Sequence, residues 1–226
     1  VPLLGDNTSD PSVKLRAARP VTTRVSAFGG DLVAAIASLP QEGGVIDVDQ
    51  TIYLTDTVNV RFGVELVSSV ALPGNNGTNN SNTDHLQQRH ILVARGVSPA
   101  LILHSSSGLN GLFLHKEGVT FGDSSSYAFT DTAVSIAGED AYVNGCFITG
   151  FDQAVDGHFV QRSTISNNRI DCMNGVDLSG VHDIARVLNN HCWPFVTVSN
   201  ATPDNWRQGI AFRFADGGDW NHLRGN

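Results

Sequence analysis

Hydrophobic residues in this chain come in runs of three to five, each closed off by Gly, Asn, Asp or Ser. Val45–Val48, Thr57–Val60, Val64–Val67, His90–Val93, Leu101–His104 and Leu112–Leu114 are of this kind. Runs this short, bounded by turn formers, predict β-strands. One stretch differs. In Leu32-Val33-Ala34-Ala35-Ile36-Ala37-Ser38-Leu39, residues Leu32, Ala35, Ile36 and Leu39 fall on one helical face. Asp31 is placed to cap its N-terminus and Pro40 to stop it, so a short amphipathic helix is expected there.

The strands repeat. Val134, Val155 and Val176 stand 21 and 21 residues apart, in Ala-Val-Ser-Ile, Ala-Val-Asp and Gly-Val-Asp-Leu. Between them runs a second series, Asn144, Asn167 and Asn189, spaced 23 and 22. Two interleaved features sharing a period near twenty-two residues indicate a stacked repeat. One such unit cannot bury its apolar side alone, whereas stacked units form a continuous core. Each coil then hydrogen-bonds to equivalent strands above and below, as in any parallel ladder. Val and Ile point inward, and Asn and Gly take the sharp corners because they tolerate left-handed backbone. The expected fold is therefore all-β, a right-handed, single-stranded parallel β-helix with a short N-terminal helix, of about eight coils.

Residues 1–27, with Pro2, Pro11 and Pro20, read as an irregular lead-in, and 28–226 as the β-helix. Residues 73–89 are polar and predict a projecting loop. After Cys192 the next strand like the Val series is Gly209-Ile210-Ala211-Phe212, with Ile210 34 residues beyond Val176. The surplus, from Trp193 through Arg207, is expected as an insertion on a lateral face. Trp220 to Asn226 looks like a further coil beginning, so the rod is expected to continue.

Composition narrows the function. The chain has 226 residues, 41% hydrophobic and 16% charged, with 23 Gly and a net charge of −8. That acidic balance disfavours nucleic acid, which needs basic patches against phosphate. No apolar run reaches the ~18 residues of a membrane span, so membrane insertion is not expected. Cys146, Cys172 and Cys192 are an odd set without a Cys-x-x-Cys pair; they read as small buried hydrophobes, with neither disulfides nor a metal site expected. Nucleotide-binding, zinc-protease and serine-elbow motifs are lacking, and no cofactor is implied.

A rod offers long faces that suit a polymer better than a small metabolite. Asp156 and Asp177 follow Val155 and Val176, one coil apart. Parallel strands lie ~4.8 Å apart, so these carboxyls can stand side by side as glycoside hydrolysis requires. Asp152 and Asp171 are further candidate acids. The competing reading makes Asp156 and Asp177 structural or merely solvated. Elimination would need a base instead, and His158, His182 and His191 are available. Aromatic rings cluster late, with Trp193, Trp206 and Trp220 beside Asp204, Arg207, Asp216 and Asp219. Sugars lay C–H faces on rings and offer hydroxyls to acids and guanidinium. Trp193, Trp206, Arg207, Asp216, Asp219, Trp220 and His191 are thus the expected sugar-binding set, unless those rings only pack the insertion or fill a subunit interface.

These residues carry a resemblance. Phe28-Gly29-Gly30-Asp31-Leu32 through Pro40, with Gly43-Gly44-Val45-Ile46-Asp47-Val48, resembles the opening of the pectate-lyase-like β-helix superfamily. Asn190-His191-Cys192-Trp193-Pro194-Phe195, Trp206-Arg207-Gln208-Gly209-Ile210-Ala211-Phe212 and Gly218-Asp219-Trp220 look like bacteriophage tailspike proteins. The resemblance spans about residues 28–226. It implies a homotrimeric virion tail appendage, joined to other phage tail or baseplate proteins. Such an appendage binds and often cleaves capsule or O-antigen polysaccharide at the bacterial surface, as glycosidase or lyase. Catalytic acids vary in position within that family, so none is carried over. The same rod also serves non-catalytic tail fibres and adhesins, and secreted pectate-lyase-like enzymes.

Overall fold

The computed structural model describes residues 21–69, 90–118, 131–180, 182–192 and 210–226. The helix forms where its pattern predicts, as α1 (Leu32–Ala37). Asp31 accepts a hydrogen bond from the Ala34 amide at 2.9 Å, satisfying one of the amides that a helix start leaves unpaired. Leu32, Ala35 and Ile36 bury one side, and the helix closes off the first coil.

Among the described residues the strands form three parallel sheets. The first face stacks β1 (Thr23–Arg24), β2 (Gly44–Asp47), β5 (Val64–Val67), β8 (Gly108–Asn110), β11 (Tyr142–Asn144), β14 (Thr164–Ser166), β17 (Arg186–Leu188) and β20 (His222–Arg224). The second stacks β3 (Ile52–Leu54), β6 (Ile91–Val93), β9 (Phe113–Lys116), β12 (Phe147–Thr149), β15 (Arg169–Asp171) and β18 (His191–Cys192). The third stacks β4 (Val58–Val60), β7 (Leu101–Leu103), β10 (Thr132–Ile136), β13 (Gln153–Asp156), β16 (Asn174–Leu178) and β19 (Phe212–Phe214). The chain visits the three faces in turn and then climbs one rung, which is the right-handed parallel β-helix. The first rung begins before residue 28, because Thr23–Arg24 already pairs with β2.

Each face sends one column of apolar side chains inward. On the third face Val134, Val155 and Val176 are mutual register partners, all at most 1% exposed. The 21-residue spacing is thus one rung. Leu66, Leu109, Val143, Ile165 and Val187 fill the first-face column. Ile91, Leu114, Ile148 and Ile170 fill the second. One expectation shifts. Val176 is met on the next rung by Phe212, not by Ile210. Phe212 and Phe214 face the core, while Ile210 is half exposed, because the surplus after Cys192 is two residues longer than the motif match implies.

Corners carry the asparagines. Between the first and second faces Gly111, Gly145, Asn167, Asn189 and Gly225 all have φ between 54° and 70°. The next position inward forms a buried amide ladder. Asn168 Oδ1 accepts from the Cys146 amide at 2.8 Å, and Asn190 Oδ1 accepts from the Asn168 amide at 3.1 Å. Asn226 Oδ1 continues it to the Asn190 amide at 3.0 Å. Meanwhile Asn168 Nδ2 donates to the Val143 carbonyl at 2.9 Å. Asn168→Ala orphans a buried donor and a buried acceptor, at about 1–3 kcal/mol each. Chemical denaturation is expected to register that loss, and a shift under 0.5 kcal/mol would contradict it.

Turn length varies while register does not. Paired residues are 23 apart between Ile91 and Leu114, 33 apart between Leu101 and Val134, and 39 apart between Ile52 and Ile91. Cys146 and Cys172 are buried free thiols and Cys192 is half-buried. Burial pushes the Cys146 thiol up to about 12, so it behaves as a hydrophobe at neutral pH.

Candidate functional site

The third-to-first corner gathers most of the polar chemistry. Strand alternation places Ser135, Asp156, Asp177 and Arg213 in one outward column on the third face. Asp156 and Asp177 are therefore direct neighbours on adjacent rungs. Asp177 Oδ2 pairs with Arg213 Nη1 at 3.4 Å, and Asp177 Oδ1 is buried without a hydrogen-bond partner among the described residues. Asp156 Oδ1 instead meets His158 Nδ1, two residues along the same side of the chain. The far nitrogen of that imidazole, Nε2, lies 2.5 Å from Ser179 Oγ on the next rung.

Beyond this cluster the chain turns sharply. Asp140, Arg162, Ile184 and Trp220 each take φ between 55° and 61°, one per rung. Arg162 grips Asp140 with Nε and Nη2 at 2.9 and 3.0 Å and also meets Glu139. The hydrogen bonds it donates to Asp140, then to Glu139, raise its pKa further above the ordinary arginine value. Phe159 (73% exposed) and Trp220 (86%) project from the same corner. Asp216 and Asp219 are exposed beside Trp220, so Asp156, Asp177, Asp216, Asp219 and Trp220 share one edge of the rod.

The remaining candidates lie elsewhere. Asp171 is 2% exposed on the second face, in the column of His115 and Thr149. His191 is exposed on the same face, in the column of Phe113, Phe147 and Arg169. Asp152 sits at the turn into β13, where Asn174 Nδ2 donates to it at 3.2 Å. Burial raises its carboxyl pKa, and Lys116 partly offsets that. His182 is buried at 3% and bonds the Gly180 carbonyl at 3.0 Å. Trp193, Trp206 and Arg207 lie outside the described residues.

The first face, which leaves this corner, carries a groove of about 410 Å³. Glu65, Asn110, Tyr142, Asn144, Thr164 and Arg186 line it. Amides run along its floor, Asn144 Nδ2 donating to Asn110 Oδ1 at 3.1 Å and Asn110 Nδ2 to Glu65 Oε1 at 3.4 Å. The Tyr142 ring lies across Gly108, where a Cβ would not fit. A ring, amides, a carboxylate and a guanidinium in one open trough match what a sugar chain presents. The sequence conceals this groove because its residues come from rungs separated by insertions of unequal length. Ser179 was discoverable, since it follows His158 by the same 21 residues that separate the valines.

Among the described residues no group of three or more His, Cys, Asp or Glu is placed to hold a metal ion. No helix among them is long and apolar enough to cross a membrane.

No protein-family model and no curated protein match the chain. Two solved structures are similar to it. A pectin methylesterase in complex with a hexasaccharide aligns with a TM-score of 0.49 at 14% identity, covering 82% of this chain and 59% of its own. The tailspike protein gp49 of Acinetobacter baumannii bacteriophage Fri1, a capsular polysaccharide depolymerase, aligns with a TM-score of 0.41 at 13% identity, covering 90% of this chain and 46% of its own. The chain thus spans about half the length of each. At these levels neither protein lends this chain its chemistry.

Proposed function

We propose that the rod recognises bacterial surface polysaccharide, capsule or O-antigen, and depolymerises it by glycoside hydrolysis as a tailspike-type protein. The observation that carries this is the register of Asp156 with Asp177. Two outward carboxyls one rung apart stand at roughly the 4.8 Å strand spacing, close to the ~5–5.5 Å of retaining glycosidases. One carboxyl of the pair protonates the leaving oxygen and the other is its partner carboxylate. The polymer lies along the first-face groove, with Trp220, Asp216 and Asp219 flanking the corner. Trp193, Trp206 and Arg207 extend the sugar contacts in this reading, and Asp152 stays in reserve as an acid; Asp171, buried on the second face, and His191, exposed there, lie off this path. A homotrimeric tail appendage, docked on other phage tail proteins, completes it.

A second reading keeps the groove and drops the cleavage. It is favoured by the partners already holding both acids, His158 on Asp156 and Arg213 on Asp177. The protein would then be a glycan-binding tail fibre or adhesin.

Purified capsular and O-antigen polysaccharides decide between them. Release of new reducing ends, with kcat falling 10²-fold or more in Asp177→Asn, supports hydrolysis. In the same assay Arg186→Ala is expected to raise KM and leave kcat nearly unchanged. Tight binding without any chain shortening would leave the adhesin, and an active Asp177→Asn would remove the carboxyl pair.

A further inference from the structure

We propose that Ser179, His158 and Asp156 form an acyl-transfer relay that removes short O-acyl groups from the bound polysaccharide. The idea rests on the preceding reading only for the polymer that bears the ester; the relay itself stands on its own contacts.

The geometry is that of a nucleophile, a base and an orienting acid. Asp156 and His158 are two residues apart, so strand alternation points both outward. An ionised carboxylate can only accept, so its contact with Nδ1 places the imidazole proton there. Nε2 is then the lone-pair nitrogen, and it faces Ser179 Oγ at 2.5 Å. This is the tautomer a serine nucleophile needs from its base. The three groups come from two adjacent rungs, and the pairing of Asp156 with Asp177 fixes their relative height.

The imidazole end of the relay faces solvent. Level with His158 and Ser179, the rungs below and above carry only Ala137 and Ala215. The His158 side chain is 47% exposed, whereas Ser179 is 3% exposed, so the approach to its Oγ runs along the imidazole. Phe159 follows immediately, held at φ 57°. Left-handed backbone is costly for a bulky residue and such positions cluster at working sites. Its exposed ring lies over Gly180, where a Cβ would sit 2.8 Å from ring carbons. That ring can seat the apolar face of the sugar carrying the ester. Gly180, next to Ser179, has φ 77°, and among the described residues its amide N–H has no acceptor. An unengaged amide beside the nucleophile is the donor a developing oxyanion requires.

The reaction balances within these groups and water. Ser179 Oγ bonds to the acyl carbon while its proton passes to His158 Nε2. The tetrahedral intermediate collapses by breaking the bond to the sugar oxygen, which takes the proton from Nε2 and leaves as a hydroxyl. Water then gives a proton to Nε2 and its oxygen attacks the acyl-serine. The Ser179–acyl bond breaks, the serine recovers the proton, and a free carboxylic acid departs. Asp156 remains ionised throughout and acts as a positioning residue.

The test uses the full chain, a fluorophosphonate probe, p-nitrophenyl acetate, and O-acetylated bacterial polysaccharides. Wild type is expected to take a covalent phosphonyl group at Ser179, located by peptide mass. It is expected to hydrolyse the nitrophenyl ester at least 10²-fold faster than S179A. D156N should slow phosphonylation by ten-fold or more, and D156E should restore part of it, an effect that a merely structural bond would not produce. Chain length and acetate release are followed in parallel. A folded wild type that shortens the polymer while Ser179 stays unlabelled overturns the relay and leaves the depolymerase standing. Labelling with acetate release but no shortening upholds the relay and removes the depolymerase. Equal ester hydrolysis by wild type and S179A also overturns the relay, whether or not S179A is fully folded, since wild type is then inactive through Ser179.

Discussion

Val155→Asp will abolish the native fold of the central rungs. Val155 is wholly buried and is sandwiched between Val134 on one rung and Val176 on the next. The substitution places a carboxyl where each side of the stack offers only hydrocarbon. The group must either stay ionised without a partner or take up a proton, and both are expensive in a dry core. The loss expected is more than about 4 kcal/mol, beyond the usual range for point substitutions. Val155→Ala, which removes methyls but buries no charge, should cost only about 2 kcal/mol. Because each rung rests on its neighbours, damage at this level uncouples the stack on both sides. Circular dichroism melts and urea titration of the two variants provide the comparison. A Val155→Asp protein that melts like wild type would mean that the position is not interior.

Lys116→Ala carries the second large effect. Lys116 Nζ and Asp131 Oδ2 are 2.7 Å apart, with side chains only 3% and 8% exposed. Asp131 Oδ2 also accepts the Gly96 amide at 3.0 Å. Removing the lysine leaves a buried carboxylate without its cation, which costs about 3–5 kcal/mol. Replacing both, as Lys116→Met with Asp131→Asn, keeps an acceptor for Gly96 and should recover most of the loss, so the two changes are strongly non-additive. pH supplies an independent check. Lys116 opposes the burial that raises the Asp152 carboxyl, so without it Asp152 titrates higher still in the native state, above its value in the unfolded chain. Native Lys116→Ala then binds more protons than its unfolded form, and its stability falls as pH rises through the carboxylate range. A single mutant within 1 kcal/mol of wild type, or one whose stability rises over that range, would contradict this account.

The repeat was legible because the rung length is nearly constant where turns are short. Val134, Val155 and Val176 stand in register as their spacing indicates, and Asp156 and Asp177 follow them into register on adjacent rungs. Of the asparagine series, Asn167 and Asn189 take the left-handed corner at φ 59° and 54°, whereas Asn144 ends β11 opposite Ser166 and leaves its corner to Gly145, because that rung carries its corner residue one place later than the asparagine count implies. Where turns lengthen, counting fails: Phe212 rather than Ile210 meets Val176. Nearness in sequence also misleads at corners. Asp171 lies six residues before Asp177, yet the intervening turn carries it to another face and buries it. Ser179 stands one 21-residue period after His158, but serine is common in turns, and the spacing alone does not tell a nucleophile from a solvated hydroxyl. The groove residues Glu65, Tyr142 and Arg186 share no motif and meet only after the chain has wound past each of them.

Constant pairing across turns of unequal length has an evolutionary consequence. Ile52 and Ile91 are paired as firmly as Ile91 and Leu114, although far more chain separates them. New segments can therefore be spliced in at a corner without retuning the hydrophobic stack. The scaffold and the surface it displays are free to change at different rates, so a lineage can exchange its corner loops while inheriting the same spine.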